Sequence, residues 1–308
     1  MAHKVILLAD PGIDGAFAIA LATQDPNLEV IGLAASAGNV SAEQATKNVH
    51  TILEQVDPPR WPRVGAALPV DYGMDGTRLH GPNGLGGVSF PSAQPHHKHP
   101  ADKLLIDLVR LYPNEVFLVC LSPLTTLARA IDRDPELPAL VRRLICLGGA
   151  LNEPGNAGPV SEFHFACDPG AAQQVLHCGS PITLIPLDAM RKALFSPTEL
   201  LNPTEEGSRT CNFLSQVVAC GIGATSNLYG IEGFHLKDLL GVIAVSVPGA
   251  LTTKPLIVDV ETRGERTRGM SVFDLRPWTT ATPNVECVTG VDAAAVRKYI
   301  EQGLSHSL

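Results

Sequence analysis

Residues 4–15 read Lys-Val-Ile-Leu-Leu-Ala-Asp-Pro-Gly-Ile-Asp-Gly. Within Lys4–Ala9 the apolar residues are consecutive rather than alternate, the pattern of a strand covered on both faces. Asp10-Pro11-Gly12 ends the run with turn-forming residues. Ala16–Gln24 then resumes with helical spacing. Strand, acidic turn and helix form the opening unit of a parallel α/β sheet. That unit also points to a place for chemistry, because ligands of such sheets bind outside the carboxyl ends of the strands.

The alternation continues outward from this stretch. Leu28–Ser36 is a second apolar run, and Ser41 opens a helix to about Val56, with Gln44 three residues on as in a capping box. A short strand is expected near Val64–Ala67, then a loop rich in Gly, Pro and His from about Pro69 to Pro100. Ala101–Leu111 reads as helix, Val116–Leu121 as buried strand, Thr125–Asp132 as helix and Leu144–Leu147 as strand. Asp168-Pro169 sets an N-cap before a proline at the first helical position, and Ile182–Pro186 is one more strand. The last third changes rhythm. Glu205–Ala224 is helical, Asp238–Val245 is a short buried helix, and Asp292–Gln302 is a closing helix capped by Asp. Leu256–Glu261 and Gly269–Phe273 alternate like a hairpin. The expected fold is α/β, a mostly parallel central sheet flanked by helices, with a small antiparallel element in the C-terminal third. No repeat or low-complexity linker interrupts residues 1–308, so one domain is expected.

Composition narrows the function classes. Hydrophobic residues make up 45% and charged residues 18% of 308, a globular balance. No window approaches the roughly 18 uninterrupted apolar residues of a membrane helix, and the start Met-Ala-His-Lys carries no apolar signal region. The net charge is −8 and no basic stripe appears, which argues against a nucleic-acid partner. Seven cysteines, several inside apolar runs and none in a Cys-x-x-Cys pair, suit reduced thiols and a cytoplasmic location. His96, His97 and His99 in Pro-His-His-Lys-His-Pro tempt a metal reading, but the spacing fits no zinc pattern and Lys98 opposes a cation, so a solvated loop is expected.

The strand ends hold the candidate chemistry. Asp10 and Asp14 follow the first strand and Gly38-Asn39 the second. Ser122-Pro123 follow Val116–Leu121. Gly148-Gly149, Gly155-Asn156 and Glu162-Phe163-His164 follow Leu144–Leu147. Taken singly, Asp-Pro-Gly is a common turn, Asn39 a turn residue and Glu162 a loop acid. Together, Asp, Asn and Glu at one sheet edge suit a hard cation or a polyhydroxylated ligand. They do not suit a phosphate, and neither a Gly-x-Gly-x-x-Gly nor a Gly-Lys-Ser/Thr motif is present.

These residues carry a resemblance to the inosine–uridine-type nucleoside hydrolases, whose signature is an Asp-x-Asp-Pro-Gly-x-Asp-Asp loop after the first strand. The similarity continues through Gly38-Asn39, His80-Gly81, Pro123-Leu124-Thr125, Gly148-Gly149, Gly155-Asn156 and Glu162-Phe163. It extends to Asp168-Pro169, Val258-Asp259-Val260-Glu261 and Thr267-Arg268-Gly269-Met270. The resemblance implies a Rossmann-related fold and an N-ribohydrolase that cleaves ribonucleosides to ribose and base. It implies a calcium ion held by Asp10, Asp238 and the Leu121 carbonyl, with Asp10 as general base. Asp14, Asn39, Asn156, Glu162 and Asp238 would bind the ribose, and His80 would lie near the nucleobase. It also implies a homodimer or homotetramer with a nucleoside or ribose-like ligand as partner.

The chain departs from the family pattern at several positions. Leu8 and Gly15 stand where the motif has carboxylates, and a Gly15 in place of an Asp ligand implies weakened or absent calcium. Gly15 equally fits a residue that merely opens the first helix, with water in the ligand's place. His164 stands for an Asn expected at the sugar, and Thr126 for another Asn. Lys237, in His235-Leu236-Lys237-Asp238, takes the place of a His that protonates the leaving base. A second reading follows from these changes: a non-catalytic or drifted relative that binds a nucleoside or sugar. A third, resting on His164, is a glycosidase with another substrate. Between Glu205 and Glu232, Asn227-Leu228-Tyr229 offers an aromatic wall for a base, and a core Tyr fits that position equally well.

Overall fold

A computed structural model describes residues 2–91, 99–201 and 208–305. The first half is built of strand–helix units. β1 (His3–Ala9) leads through α1 (Ile13–Gln24) to β2 (Leu28–Ala35), and α2 (Ala42–Val56) leads to β3 (Arg63–Gly65). A single turn, α3 (Thr77–His80), precedes α4 (Ala101–Leu111), β4 (Val116–Leu121), α5 (Thr125–Arg133), α6 (Leu137–Leu140) and β5 (Arg143–Leu147). Then come α7 (Phe163–Cys167), α8 (Pro169–Leu176), β6 (Ile182–Ile185) and the one-turn α9 (Leu187–Met190). β7 (Leu194–Phe195) and β8 (Phe234–His235) pair around α10 (Pro197–Leu201) and α11 (Arg209–Tyr229). The chain closes with α12 (Leu239–Ser246), β9 (Leu251–Val260), β10 (Ser271–Asp274), β11 (Val285–Val291) and α13 (Ala293–Ser305).

Nine strands form one sheet in the order β10-β9-β11-β6-β5-β4-β1-β2-β3. From β3 to β11 neighbouring strands are parallel, whereas β9 is antiparallel to both β11 and β10. The unbroken apolar run in β1 now has its reason. Val5, Leu7 and Ala9 join one core cluster with α1, α12 and α13, while Ile6 and Leu8 join the cluster beneath α4, α5 and α8. Leu8, which stands where the family signature begins with an Asp, is therefore a core side chain.

The chain leaves β1 to build β2 and β3 on one side, then crosses over to build β4, β5 and β6 on the other. The topological switch point lies between β1 and β4, the crevice where open α/β sheets bind ligands. Asp10 follows β1 there, and Leu121, the last residue of β4, lies opposite Ala9.

Three expected caps are present. Ser41 accepts from Gln44 N at 3.4 Å, Asp168 from Ala171 N at 3.0 Å, and Asp292 from Ala294 N at 3.0 Å. Several boundaries differ from expectation. α1 starts at Ile13 instead of Ala16, since Gly12 serves as its N-cap and Asp14 already lies in its first turn. β3 begins one residue earlier and is shorter than Val64–Ala67. The helix expected over Glu205–Ala224 starts at Arg209 and runs on to Tyr229, where Gly230 at φ 66° supplies a left-handed cap. Glu205 lies outside the described residues. The expected hairpin is an extension of the main sheet: β9 starts at Leu251, and β11 inserts between it and β6. Among the described residues no helix is long and apolar enough to cross a membrane.

Candidate active site

Asp10 is the residue around which the others are arranged. Its Oδ2 accepts the backbone N–H of Asn39 at 2.7 Å, and its carbonyl accepts the Asn39 amide at 3.1 Å. The ends of β1 and β2 are thereby tied together. The tie requires glycine at position 38, where a Cβ would lie 2.7 Å from Asp10 Cγ and 2.9 Å from Asp10 Cβ. The other carboxylate oxygen, Oδ1, is buried without a hydrogen-bond partner.

Three more acids close on the same point. Asp14 sits in the first turn of α1, Asp238 immediately precedes α12, and Glu162 caps α7. Asp10, Asp14, Glu162 and Asp238 are 1%, 2%, 2% and 5% exposed. Glu162 Oε2 accepts three backbone N–H groups, from Gly149, His164 and Phe165, at 3.2, 3.0 and 3.3 Å, so its carboxylate is held rigidly. Burial, and after it the carboxylate of Asp14, holds Asp10 well above the usual carboxylate range. Burial, Asp14 and Asp10 do the same to Asp238. Charges that repel one another in a water-poor site protonate more readily, which is the physical cause of both shifts.

Lys237 is the cation among them. Its Nζ lies 3.9 Å from Asp14 Oδ2. Burial alone would lower its pKa, but Asp14, Asp238, Glu162 and Asp10 together outweigh burial and raise it.

The histidines are placed by neighbours that settle their ring tautomers. His80 Nδ1 accepts Ile13 N–H at 3.1 Å, so the proton of the neutral ring is on Nε2. The ring is buried beneath Gly12, and Asp14 Oδ1 is 3.8 Å away. His164 Nδ1 faces the Leu147 carbonyl at 3.1 Å, which can only accept, so this ring carries its proton on Nδ1. Burial pushes the His80 pKa down to about 4 from an ordinary 6.5. The fold thus holds a neutral imidazole. The stability this contributes is complete above about pH 6.5 and is lost as the pH falls toward 4. The loss is on the order of 3 kcal/mol at most. His80→Asn keeps an acceptor for Ile13 N–H and cannot be charged. Its unfolding free energy should therefore fall less steeply than the wild type's between pH 6.5 and 4, as read from denaturant midpoints. An unchanged slope would remove His80 from the acid response.

Asn156, exposed on its loop, accepts Phe163 N–H at 2.8 Å and keeps its amide donors for a ligand. Thr126 Oγ1 lies 3.2 Å from Ser36 Oγ, joining α5 to the end of β2. His99 pairs with Asp107 at 3.1 Å; His96 and His97 lie outside the described residues.

Two adjoining cavities of about 460 and 440 Å³ meet at Lys237, which lines both together with Asn156, Leu79 and Tyr229. Asn39 and His80 line the smaller one. The larger adds Arg191, His235 and Phe234, which the strand-end reading above did not reach. The same rule applied to β6 leads through α9 to Arg191. His235 carried no such signal, because only the β7–β8 pairing brings it to the cavity. Burial, then Lys237 and Arg191, push its pKa down to about 4, so its ring is neutral at ordinary pH.

The sequence profile of the family described as inosine-uridine preferring nucleoside hydrolase matches residues 5–298. Uridine nucleosidase 1 of Arabidopsis thaliana is 32% identical over 313 residues, covering 98% of this chain and 93% of that protein. The non-specific ribonucleoside hydrolase RihC of Escherichia coli (strain SMS-3-5 / SECEC) is 31% identical, with 99% of each chain covered. Among solved structures, a purine-preferring ribonucleoside hydrolase from Gardnerella vaginalis superposes with a TM-score of 0.91 at 27% identity, covering 99% of this chain and 98% of its own. A plant nucleoside hydrolase, PpNRh1, gives 0.87 at 28% identity, with 99% of each chain covered. The match runs through the strand ends that carry Asp10, Asn39 and Glu162 and through the segment that carries Asp238, and on that basis the chain belongs to the inosine–uridine preferring nucleoside hydrolases.

Proposed function

We propose that this chain hydrolyses the N-glycosidic bond of ribonucleosides, releasing ribose and the free base. The observation that carries the reading is Asp10, sealed at the switch point with one oxygen held by Asn39 and the other unpartnered. A carboxylate whose pKa burial has raised is a better proton acceptor than an exposed one. In this reading Asp10 takes a proton from a water whose oxygen bonds to C1′ of the ribose. The C1′–N bond breaks, and its electron pair leaves with the base. A proton from Lys237 completes the base, and solvent exchange resets both residues. Asp14, Glu162 and Asp238 stabilise the positive charge that develops on the sugar. Asn39, Asn156 and His164 hold its hydroxyls, and His80 borders the base. The relatives named above are all hydrolases or nucleosidases, which favours catalysis over a binding-only role.

Nucleoside hydrolases are metal-dependent as a family, and the resemblance implies calcium on Asp10, Asp238 and the Leu121 carbonyl. Calcium takes about six to eight oxygens. The resemblance gives such an ion only two carboxylates and one carbonyl, and position 15, beside Asp238, adds no third carboxylate. The residues present do not fit a resident divalent ion, so no step above passes through one.

The larger cavity supports a reading of the base. Arg191 and Lys237 can only donate hydrogen bonds, which favours bases presenting carbonyl oxygens. Ribose release should be faster from uridine and inosine than from cytidine and adenosine, by on the order of tenfold for one unpaired donor. Measuring ribose release across that panel, with calcium and with a chelator, tests both statements. No release from any nucleoside in either condition would overturn the hydrolase reading, and equal rates would overturn the base preference.

None of the seven cysteines, all among the described residues, is joined in a disulfide, which supports a cytoplasmic location. Exposed Leu275 and Trp278 offer apolar surface to a second copy in a homodimer or homotetramer. We read the chain as one domain.

A further inference from the structure

Four buried acids in one site need a positive charge, because an unpaired charge removed from water is strongly destabilising. Asp10 Oδ1 and Asp14 Oδ1 are both buried without a hydrogen-bond partner, so the demand is not met by hydrogen bonding alone. Lys237 is the cation beside them; its Nζ stands 3.9 Å from Asp14 Oδ2, and its neighbour in sequence is Asp238.

Position 15 bears on the same balance of charge. A Cβ built on Gly15 would lie 3.2 Å from Asp238 Oδ2, with Pro11 Cβ at 3.8 Å as its only other near neighbour. That spot in the first turn of α1 faces the acid cluster and holds no side chain, and one placed there would press on the Asp238 carboxylate, which would have to give by a few tenths of an ångström. An acid there would make the cluster more negative and favour a divalent ion. Glycine leaves a charge that one ammonium goes further toward balancing. We propose that Lys237 is the resident cation of this site, that it takes the place of a divalent ion, and that Gly15 is the residue that makes the exchange workable.

This deepens the reading of the site as a hydrolase centre, but its test does not depend on turnover. The probe is calcium itself, measured by equilibrium dialysis against the purified full-length chain, with the shift in thermal midpoint as a second readout. The wild type should take up less than one calcium per chain at 100 μM free ion (about the level that separates sensor from weak sites). Lys237→Met should gain uptake, and Gly15→Asp combined with Lys237→Met should bind about 10²-fold more tightly than the wild type, in line with how added ligand charge tunes such sites. The thermal midpoint of the double variant should rise with calcium while that of the wild type stays put. Stoichiometric, chelator-reversible calcium on the wild type would overturn the proposal, as would a Lys237→Met protein that folds and binds no more calcium than its parent. Should either variant fail to fold, wild-type dialysis alone decides. Absence of ribose release with the predicted binding pattern would sink the hydrolase reading and leave this one standing.

Discussion

Asp10→Asn is expected to lower kcat/KM for ribose release by about 10²–10⁴-fold, the usual contribution of a positioned general base, while the protein folds as before. Asparagine keeps the shape of the side chain and an oxygen to accept the Asn39 N–H, so the link between the ends of β1 and β2 survives. What it cannot do is take a proton. The same substitution removes a buried charge that has one unpartnered oxygen. Because burial raises the pKa of Asp10 in the folded state, ionisation favours the unfolded chain. The contribution of this group to stability is complete at pH values below the unfolded pKa of about 3.9. It is lost as the pH climbs through the folded value. At neutral pH Asp10→Asn should therefore be at least as heat-stable as the wild type. The acid limb of the wild-type kcat/KM profile should lie above the ordinary carboxylate range. A variant with near-normal turnover would remove Asp10 from the chemistry. A variant that loses turnover only because its thermal midpoint has collapsed would make Asp10 a folding residue.

Gly38→Ala is expected to lose about 10²-fold in kcat/KM although glycine itself carries no chemistry. One added methyl would overlap the Asp10 carboxylate, with Cγ at 2.7 Å, so Asp10 must turn or the β2 end must retreat. Either movement breaks the 2.7 Å contact with Asn39 N–H and misplaces the base by a distance of order 1 Å, which catalysis tolerates poorly. Crowding of this kind also costs about 1–3 kcal/mol of stability. The informative comparison is between Gly38→Ala and Asp10→Asn. The first should lower both rate and thermal midpoint, the second rate alone. Wild-type kinetics in Gly38→Ala would show that this close approach does not position Asp10.

Most of the frame was legible because burial on both faces writes a continuous apolar run, and β1, β4 and β5 carry such runs. Asp10, Asn39 and Glu162 were legible because each lies in the loop that leaves a strand or caps the helix after one. β11 was not legible. Glu286 and Thr289 interrupt its apolar pattern, and it becomes a strand because β6 and β9 offer it edges. α3 sits in a stretch rich in glycine and proline, where local preference argues against helix, and it forms with His80 packed under Gly12.

By itself the sequence determined the parallel sheet, the acids and amides at its strand ends, and family membership, since each of these is written in local pattern and short motifs. Only the tertiary structure decided which of those residues share a centre. Asp238 and Lys237 are more than 200 positions from Asp10 in the chain, and Arg191 and His235 reach the larger cavity from α9 and β8. The opposition of Gly15 and Asp238 likewise belongs to the fold. Electrostatic balance depends on distance through space, and no spacing along the chain records it.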